Sequence, residues 1–560
     1  MKINPIQQVK EEISVLIFNA LKKEELDQFG AEIELEKPKD ADHGDFATNI
    51  AMRLAKPAKA APRIIAEKLT AALDLENSCI QKVEVAGPGF INFTLKPEWF
   101  YSVLDIIQKE GSDYGRVSVG EGKKVMVEFV SANPTGPMHV GNARGGAIGD
   151  VLASVLDFAG YDVTREFYIN DAGNQIEKFG MSLEARYLQL LQGEDSVQFP
   201  EDGYHGEDIT QLMRDYIALY GDSELSKSSE ERKKALVAFG LEKNIAGIQK
   251  TMEQFGVNYD VWFRESELYK SGEVKDTIAQ LAATGKAYEQ EGATWFGATA
   301  FGAEKDEVLV RSNGIPTYFA ADIAYHQNKF KTRRFDTVID VWGADHHGHT
   351  ARMKGAMDIL GINPDRLQFV LMQLVRLMRD GEVYKVSKRT GKAITLNELL
   401  EDIGSDAARF FFNLRQPSSH FDFDLDLAVS QTNENPVYYV QYAYARCCSI
   451  LRMLEAENVF VPEFKDVDCS LMNSPQEMTL LERLSAFPQE ITDAADQYEP
   501  SKITRYTVEL ASAFHSFYNA NRVKGEDEAL MNARLLLIDC VKTTLSNALG
   551  VLGVSAPERM

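Results

Sequence analysis

Apolar and polar positions alternate along the middle of the chain in a way that predicts a parallel β-sheet. KKVMVEFV (123–130) is an apolar strand, and the loop SANPTGPM (131–138) follows it. Helical spacing then predicts a helix over 139–159 that Gly160 ends, and VTREFYI (163–169) is the next strand. This order is typical of the first half of a doubly wound sheet.

The same pattern returns later in the chain. FDTVIDVW (335–342) and LQFVLMQLV (367–375) are further strands, and the segment at about 175–290 is a largely helical insertion with charged faces. Residues 113–430 are therefore predicted to form one doubly wound parallel-sheet (Rossmann-like) domain of the α/β class.

Two other regions flank this domain. Residues 1–112 mix helices with short strands, such as the alternating strand after the Gly-Pro turn at Gly87–Leu95, and predict an α+β N-terminal domain. A Gly- and Ser-rich linker is expected at 111–124. Residues 431–560 predict an all-α C-terminal bundle.

Composition narrows the class of protein. A chain of 560 residues with 44% apolar and 26% charged residues is typical of a soluble globular protein with three or four domains. The five cysteines include no CxxC pair, which argues against a disulfide framework or a cysteine zinc site. The N-terminus does not resemble a signal peptide, and no stretch predicts a membrane span. A cytoplasmic location without membrane partners is expected.

The net charge of −24 argues against a protein that binds nucleic acid with its whole surface. The net charge does not exclude a local basic groove that binds RNA. The remaining acidic surface would then repel RNA and suppress nonspecific binding. The segment 431–560 has 11 basic and 18 acidic residues, a net of −7, so it carries basic spots only.

The loop after the first strand is a candidate phosphate site. His139 and Asn142 lie in the first turn of the predicted helix, and Gly141, Gly145 and Gly149 line one helix face. The spacing alone equally allows a tightly packed helix start with an exposed histidine. No GxGxxG follows the strand, and no GKS or GKT loop is present.

A second candidate is a basic hairpin. RDGEVYKVSKRTGK predicts an Asp-Gly turn followed by a loop with four cations, which repel one another unless an anion binds. A solvated surface hairpin is the alternative. The cations and a possible glycine hinge are Lys385, Lys388, Arg389, Lys392 and Gly391.

Polar side chains on a later helix could form a recognition face. Pro316 is expected near the first helical position, and Tyr318, Asp322 and Tyr325 then share one side. A helix-dipole aspartate and a core tyrosine are the alternative. His346, His347 and His349 beside Asp345 suggest a metal, but they lack HExxH spacing and a nearby cysteine, so no metal site is predicted.

Two motifs carry a family resemblance. HVGN (139–142) resembles the HIGH motif of class I aminoacyl-tRNA synthetases, and KVSKR (385–389) resembles their KMSKS motif. The chain is similar to arginyl-tRNA synthetases in particular, through blocks that span nearly its whole length. These are DADHGDFATNIAMRLAK, VAGPGFINF, FYINDAGNQ, WGADHHGH, ENPVYYVQYAYAR and GVSAPERM.

Some positions depart from the family pattern. Asn142 replaces the second histidine of HIGH but keeps a hydrogen-bond donor, and Val386 and Arg389 replace the methionine and the last serine of KMSKS. Some family members lack the second lysine and carry one shortly before HVG. This chain has Gly136 there and retains Lys388.

The resemblance implies that ATP, with Mg²⁺, and L-arginine react to form arginyl-adenylate, from which arginine passes to tRNA(Arg). The implied site has four groups of residues, namely His139, Asn142, Lys385 and Lys388 for catalysis; Gly141, Gly145, Gly343, Asp345, His349, Val386 and Ser387 for ATP; Glu128, Ser131, Asn133, Tyr318 and Asp322 for arginine; and Tyr438, Tyr442, Arg446, Tyr518 and Arg522 for tRNA.

Further expectations concern the C-terminal bundle and the assembly. The bundle is expected to bind the anticodon, although aromatic residues at helical spacing are more often core. A monomer is expected. Two other functions stay open at this point: another HIGH-type nucleotidyltransferase, and a non-catalytic relative that binds tRNA.

Overall fold

The computed structural model describes residues 4–38, 40–384 and 394–560, and its N-terminal part is a three-stranded antiparallel sheet covered by helices. The strand order is β1-β3-β2, and the predicted strand after the Gly-Pro turn is confirmed as β3. The elements are α1 (Pro5–Lys23), β1 (Phe46–Thr48), α2 (Ile50–Ala55), α3 (Pro62–Ala72), β2 (Ile80–Ala86) and β3 (Phe90–Leu95).

The predicted linker is packed rather than extended. Helix α4 (Pro97–Glu110) precedes it, and the Tyr101 hydroxyl donates to the main-chain oxygen of Met472 at 2.9 Å. Tyr114 is fully buried, and its hydroxyl donates to the main-chain oxygen of Leu484 at 2.7 Å. The expected linker at 111–124 thus runs between the N-terminal domain and β4 and also contacts the C-terminal helices through Tyr114.

A five-stranded parallel sheet forms the centre, in the order β11-β10-β4-β5-β6. This confirms the doubly wound fold. The chain moves outward from β4 to β6 on one side and continues with β10 on the other, so the switch point lies between β4 and β10. The first half comprises β4 (Lys124–Phe129), α5 (Ala143–Phe158), β5 (Asp162–Ile169), α6 (Asn174–Gln192), α7 (Glu207–Tyr220), α8 (Ser229–Gln254) and β6 (Val261–Arg264).

The expected helical insertion contains one strand of this sheet. β6 pairs with β5, so the segment 175–290 is not a single insertion. A four-residue strand without clear alternation is too short to stand out from the helices around it. The next elements are α9 (Glu265–Ser271), α10 (Glu273–Ala283), a small antiparallel sheet of β7 (Ala287–Gln290), β8 (Ala293–Phe296) and β9 (Glu307–Val310), and α11 (Tyr318–Gln327).

The second half of the sheet leads into a third small sheet and the C-terminal helices. Within the described residues, the chain after 435 forms only α-helices and short 3-10 turns, as predicted. The elements are β10 (Thr337–Gly343), α12 (His347–Ile359), β11 (Leu367–Met372), β12 (Val375–Arg379), β13 (Glu382–Val383), α13 (Leu396–Ile403), α14 (Ser405–Phe412), β14 (Phe421–Asp424), α15 (Leu425–Val429), α16 (Pro436–Glu455), α17 (Pro475–Asp496), α18 (Ser501–Ala520) and α19 (Glu528–Leu552).

Helix α19 is long and apolar enough to cross a membrane by length and composition. In its most apolar window, 72% of the residues are buried inside the protein. Leu536, Ile538 and Leu545 are fully enclosed, so α19 is a core helix of the bundle.

Close packing of α5 on β4 depends on Gly149. A Cβ atom at this position would lie 2.2 Å from Cγ of Phe129, which is itself buried. We expect Gly149→Ala to destabilise the protein by about 1–3 kcal/mol, because overpacking forces a shift of helix or strand. Urea denaturation followed by circular dichroism measures this change.

The control is Gly247→Ala in α8, where an added Cβ would meet no atom within 4 Å. An alanine there should leave stability unchanged or raise it by about 0.5–1 kcal/mol. Equal stability of the two variants would contradict the packing argument.

Candidate functional site

Two connected clefts lie at the carboxyl edge of the parallel sheet. The inner cleft, about 550 Å³, lies over the ends of β4, β5 and β10 and is lined by Glu128, Ser131, Tyr168, Asp322, Asp345 and His349 among others. The outer cleft, about 1040 Å³, is lined by Gly136, His139, Tyr204, Asp208 and Thr395 among others. Asn133 and Asn142 border both clefts. Ligands of doubly wound sheets bind at this place, beside the switch point.

The chain after β4 makes a sharp turn into the inner cleft. Val130 and Ser131 have φ angles of 73° and 44°, in the left-handed region that a β-branched residue such as valine rarely adopts. The turn brings the Ser131 hydroxyl within 2.8 Å of Glu128 Oε1, to which it donates, and the same hydroxyl accepts from the main-chain N–H of Tyr168.

The HVGN segment contacts Ile394, which follows the basic segment in the chain. His139 is exposed, and the main-chain N–H of Val140 donates to the oxygen of Ile394 at 3.1 Å. The Asp-Gly turn is confirmed, since Asp380 and Gly381 have φ angles of 53° and 76° between β12 and β13. The predicted ligands Lys385, Val386, Ser387 and Lys388 lie outside the described residues.

The glycine row of α5 has two different roles. Gly145 is buried, with an added Cβ only 3.0 Å from Cε of Met372, and Gly149 packs on the sheet. Gly141 is exposed, and among the described residues no atom lies within 4 Å of an added Cβ. A ligand can therefore approach the helix closely at Gly141, whereas Gly145 is covered by the side chain of Met372, which lines the inner cleft.

A buried group of charges forms the floor of the inner cleft. Nζ of Lys329 donates to Oε2 of Glu128 at 2.5 Å and to Oδ1 of Asp340 at 2.9 Å. His326 lies 2.7 Å from Oδ2 of Asp340. Burial disfavours the ionised form of Asp340, but the charges of Lys329 and His326 outweigh it and lower the pKa of Asp340 to about 2.

Helix α11 supplies one wall of the cleft. Asp322 and Tyr325 line it, and Oδ2 of Asp322 lies 3.4 Å from Nε2 of His349. Tyr318 is partly exposed and lies outside the lining, with its hydroxyl against Gly173. The expected place of Pro316 near the first helical position was wrong, because α11 begins at Tyr318 after the capping residue Thr317.

A carboxylate that sequence reasoning missed lies behind this wall. Glu265 is 1% exposed, and the hydroxyls of Tyr168 and Tyr269 lie beside its carboxyl group. With its amide reoriented, Asn170 donates to Oε2 of Glu265 at 2.8 Å. Burial first, and then the charge of Asp322, raise the pKa of Glu265 to about 7. A carboxylate directly after a strand was the available signal, but β6 was hidden in the expected insertion.

The histidines near β10 differ in their neighbours and in their exposure. His349 faces Asp322, while His346 and Asp345 are largely exposed and lie 3.8 Å apart. Gly343 and Asp345, for which the resemblance implies contacts with ATP, border the inner cleft. Within the described residues, no group of three or more His, Cys, Asp or Glu side chains is arranged to hold a metal ion.

The C-terminal bundle presents a cation between aromatic rings. The guanidinium of Arg446 lies 4.6 Å from the ring centre of Tyr442 and 4.5 Å from that of Tyr518, and it donates to the Tyr442 hydroxyl at 2.8 Å. Tyr438 is stacked parallel to Tyr442, with ring centres 6.0 Å apart. Arg522 lines a neighbouring cavity of about 360 Å³ that also includes Tyr518.

Comparisons with known proteins cover the whole molecule. Three family models match: "Arginyl tRNA synthetase N terminal domain" at residues 8–95, "tRNA synthetases class I (R), catalytic domain" at 103–411, and "DALR anticodon binding domain" at 440–560. The arginine–tRNA ligases of Acetivibrio thermocellus and Caldanaerobacter subterraneus subsp. tengcongensis are 58% and 59% identical over 562 residues, with 100% of each chain covered. The arginyl-tRNA synthetase structure of Thermus thermophilus has a TM-score of 0.76, 23% identity, and covers 98% of this chain and 100% of its own.

The parallel sheet, the HVGN turn at its switch point and the matched catalytic model define a class I aminoacyl-tRNA synthetase. The two relatives are similar over their full length, which makes the assignment more specific. The chain belongs to the arginyl-tRNA synthetase family, whose members ligate arginine to tRNA(Arg). This confirms the resemblance seen in the sequence.

The pKa of Glu265 predicts how arginine binding depends on pH. Below about pH 7 this side chain holds a proton, and a bound cation favours its ionised form. Arginine binding should therefore release a proton, and the affinity should rise as the pH increases from about 6 to 8. Isothermal titration calorimetry in two buffers of different ionisation enthalpy measures both quantities.

Glu265→Gln should abolish the proton release and flatten the profile. The matched control is Glu267→Gln on the exposed side of the same helix, which should behave as the wild type. Identical profiles for all three proteins would show that the proton does not come from Glu265.

Proposed function

We propose that the enzyme forms arginyl-adenylate across the inner and outer clefts and then transfers arginine to the 2′-hydroxyl of the terminal adenosine of tRNA(Arg). The observation that carries this proposal is that Asp322 and Asn142 of the HVGN turn line the same cleft, with the buried carboxyl group of Glu265 behind Asp322, since this joins a cation site to a phosphate site. The arginine carboxylate attacks the α-phosphate, and pyrophosphate leaves. No nucleophilic side chain is required, because positioning and charge stabilisation lower the barrier.

The arginine subsite is assigned to the inner cleft. Asp322 accepts from the guanidinium, a planar group whose parallel donors match a carboxylate. Tyr318 lies outside the cleft lining one helical turn earlier, and its contact with the substrate remains a proposal. Asn133 and Ser131 lie toward the amino and carboxylate end of the substrate. Both oxygens of Glu128 are engaged, with Ser131 and Lys329, so Glu128 acts by holding the floor.

The ATP subsite is assigned to the residues around HVGN and the end of β10. His139 and Asn142 provide donors to the phosphates, and the exposed helix face at Gly141 admits the nucleotide. Gly145 contributes indirectly, because its lack of a side chain leaves room for Met372 in the cleft lining. Mg²⁺ enters with ATP as part of the substrate. The remaining residues of this subsite are Gly343, Asp345, His349, Lys385, Val386, Ser387 and Lys388.

The tRNA is assigned to the C-terminal bundle. Aromatic rings flanking a guanidinium offer stacking surfaces for unpaired bases, and arginine also contacts phosphates. The residues proposed for this contact are Tyr438, Tyr442, Arg446, Tyr518 and Arg522. Tyr444, in contrast, is buried in the core, which is the more common role of such a residue. We also propose that the enzyme acts as a cytoplasmic monomer.

Asp322→Asn tests the arginine subsite. The amide offers a donor where the guanidinium needs an acceptor, so the KM for arginine should rise steeply and the preference over citrulline should narrow. A site that loses its polar partner can reject an analogue by about 10⁴-fold. Pyrophosphate exchange with both amino acids, in the presence of tRNA, gives the two constants.

The control is Asp358→Asn on α12, an exposed carboxylate that should not affect either constant. If Asp322→Asn retains the arginine KM and the discrimination, the guanidinium is bound by other groups, with Glu265 the next to test.

Lys388→Ala tests the ATP subsite. Losing one preorganised charge at a transition state typically slows a reaction by roughly 10²- to 10³-fold. Single-turnover adenylate formation should slow by this amount, while tRNA affinity stays within about threefold. Lys234→Ala, an exposed lysine on α8, serves as the control. A wild-type rate in Lys388→Ala would contradict the assignment.

A further inference from the structure

His326 lies beneath the inner cleft, one helical turn after Asp322. The side chain is 3% exposed and lines the cleft from below, at the carboxyl end of α11. Asp322 itself is only partly buried, and its carboxylate lies 3.4 Å from His349. The position of this carboxylate therefore depends strongly on how its own backbone is held.

Each ring nitrogen of His326 faces an oxygen. Nδ1 lies 2.7 Å from the main-chain oxygen of Asp322, and Nε2 lies 2.7 Å from Oδ2 of Asp340. A main-chain oxygen and an ionised carboxylate can only accept, so both hydrogen bonds require that His326 donates. The ring therefore ties the backbone of Asp322 to the middle of β10.

The other end of this connection is rigid. Asp340 is fully buried and also accepts from Lys329, which in turn holds Glu128 on the neighbouring strand β4. Residues Asn328–Thr332 after α11 form a π-helical turn, a rare backbone form that is common at functional sites and that here includes Lys329. The helix that carries Asp322 is thus fixed to two central strands through polar contacts.

We propose that His326 is a positioning residue for arginine recognition: its Nδ1–H holds the main-chain oxygen of Asp322 and thereby fixes the carboxylate that accepts the guanidinium. This inference rests on the proposed role of Asp322. A displacement of about 1 Å in a substrate-positioning group can lower the efficiency of a reaction by up to roughly 100-fold. Because His326 holds the group that binds the guanidinium, its loss raises the KM for arginine rather than slowing the chemical step.

Two substitutions separate this role from that of an ordinary buried histidine. The side-chain nitrogen of asparagine occupies nearly the place of Nδ1, so His326→Asn retains the donor to Asp322 and loses the contact with Asp340. The side-chain nitrogen of glutamine corresponds to Nε2, so His326→Gln retains the contact with Asp340 and loses the donor to Asp322. Each variant removes one of the two hydrogen bonds that the ring donates, and the variants serve as controls for each other.

Pyrophosphate exchange at varied arginine and varied ATP, with tRNA present, gives the readout. We expect His326→Gln to raise the KM for arginine by about 10- to 100-fold, with kcat at saturation and the KM for ATP within about threefold of the wild type. His326→Asn should keep the KM for arginine within about threefold, although thermal denaturation should show a similar loss of stability in both variants.

Equal arginine KM values in the two variants would overturn the proposal, and so would a loss confined to kcat or to the KM for ATP. If neither variant folds, Asp340→Asn tests the connection from β10 to His326, because an unchanged arginine KM in that variant overturns this connection and the proposal with it. Asp322→Asn distinguishes a failure of the His326 proposal from a failure of the proposed arginine subsite. An effect there, with wild-type behaviour of both His326 variants, refutes only the role of His326, whereas no effect in Asp322→Asn refutes the proposed arginine subsite.

Discussion

The geometry of the catalytic centre depends on one buried ammonium group. Glu128 and Asp340 are directly paired in the parallel ladder of β4 and β10, on either side of the switch point, and both side chains are withdrawn from water. Two such carboxylates would repel each other, but Nζ of Lys329 contacts both. Loss of one partner from a buried ion pair typically costs about 3–5 kcal/mol, because the remaining charge stays buried and unpaired. The ion group therefore fixes the strand ends and α11 in one arrangement.

The two clefts follow from this arrangement. Glu128 orients Ser131, and the left-handed turn at Val130 then leads the chain across the sheet edge to HVGN. At the other end, Gly149 lets α5 approach β4 closely, so the helix that begins after HVGN is held against the same strand. The phosphate side is thus built on β4 and the chain that follows it, and the cation side on α11, which Lys329 connects to the same strand. In the proposed assignment, one sheet edge then holds ATP and arginine with their reacting groups adjacent.

The sequence predicted the features that depend on local pattern. Long apolar strands, the helix after HVGN and the Asp-Gly turn were visible because each has a distinct period or turn residue. The missing parts depend on tertiary contacts. Glu265 follows a four-residue edge strand that periodicity does not distinguish, and Lys329 lies in the polar run HQNKFKTRR, where a lysine usually indicates solvent. No residue type marks the π-helical turn that directs Lys329 inward.

The distribution of charge around the inner cleft favours a cationic ligand, which is consistent with the proposed arginine subsite. Below the cleft, each buried carboxylate has a basic partner: Lys329 contacts Glu128 and Asp340, and Arg333 contacts Glu166. Beside it, Asp322 lies next to His349, and among the described residues no lysine or arginine pairs with Asp322 or Glu265. The charge of Asp322 repels that of an ionised Glu265, which is part of the reason why the pKa of Glu265 is raised. A guanidinium relieves this repulsion and supplies planar donors, whereas a neutral isostere of the same shape leaves it in place. In the proposed subsite, selectivity then arises from the negative charge of Asp322 and Glu265. It also requires that the carboxylate of Asp322 keeps its position when a wrong substrate enters the cleft.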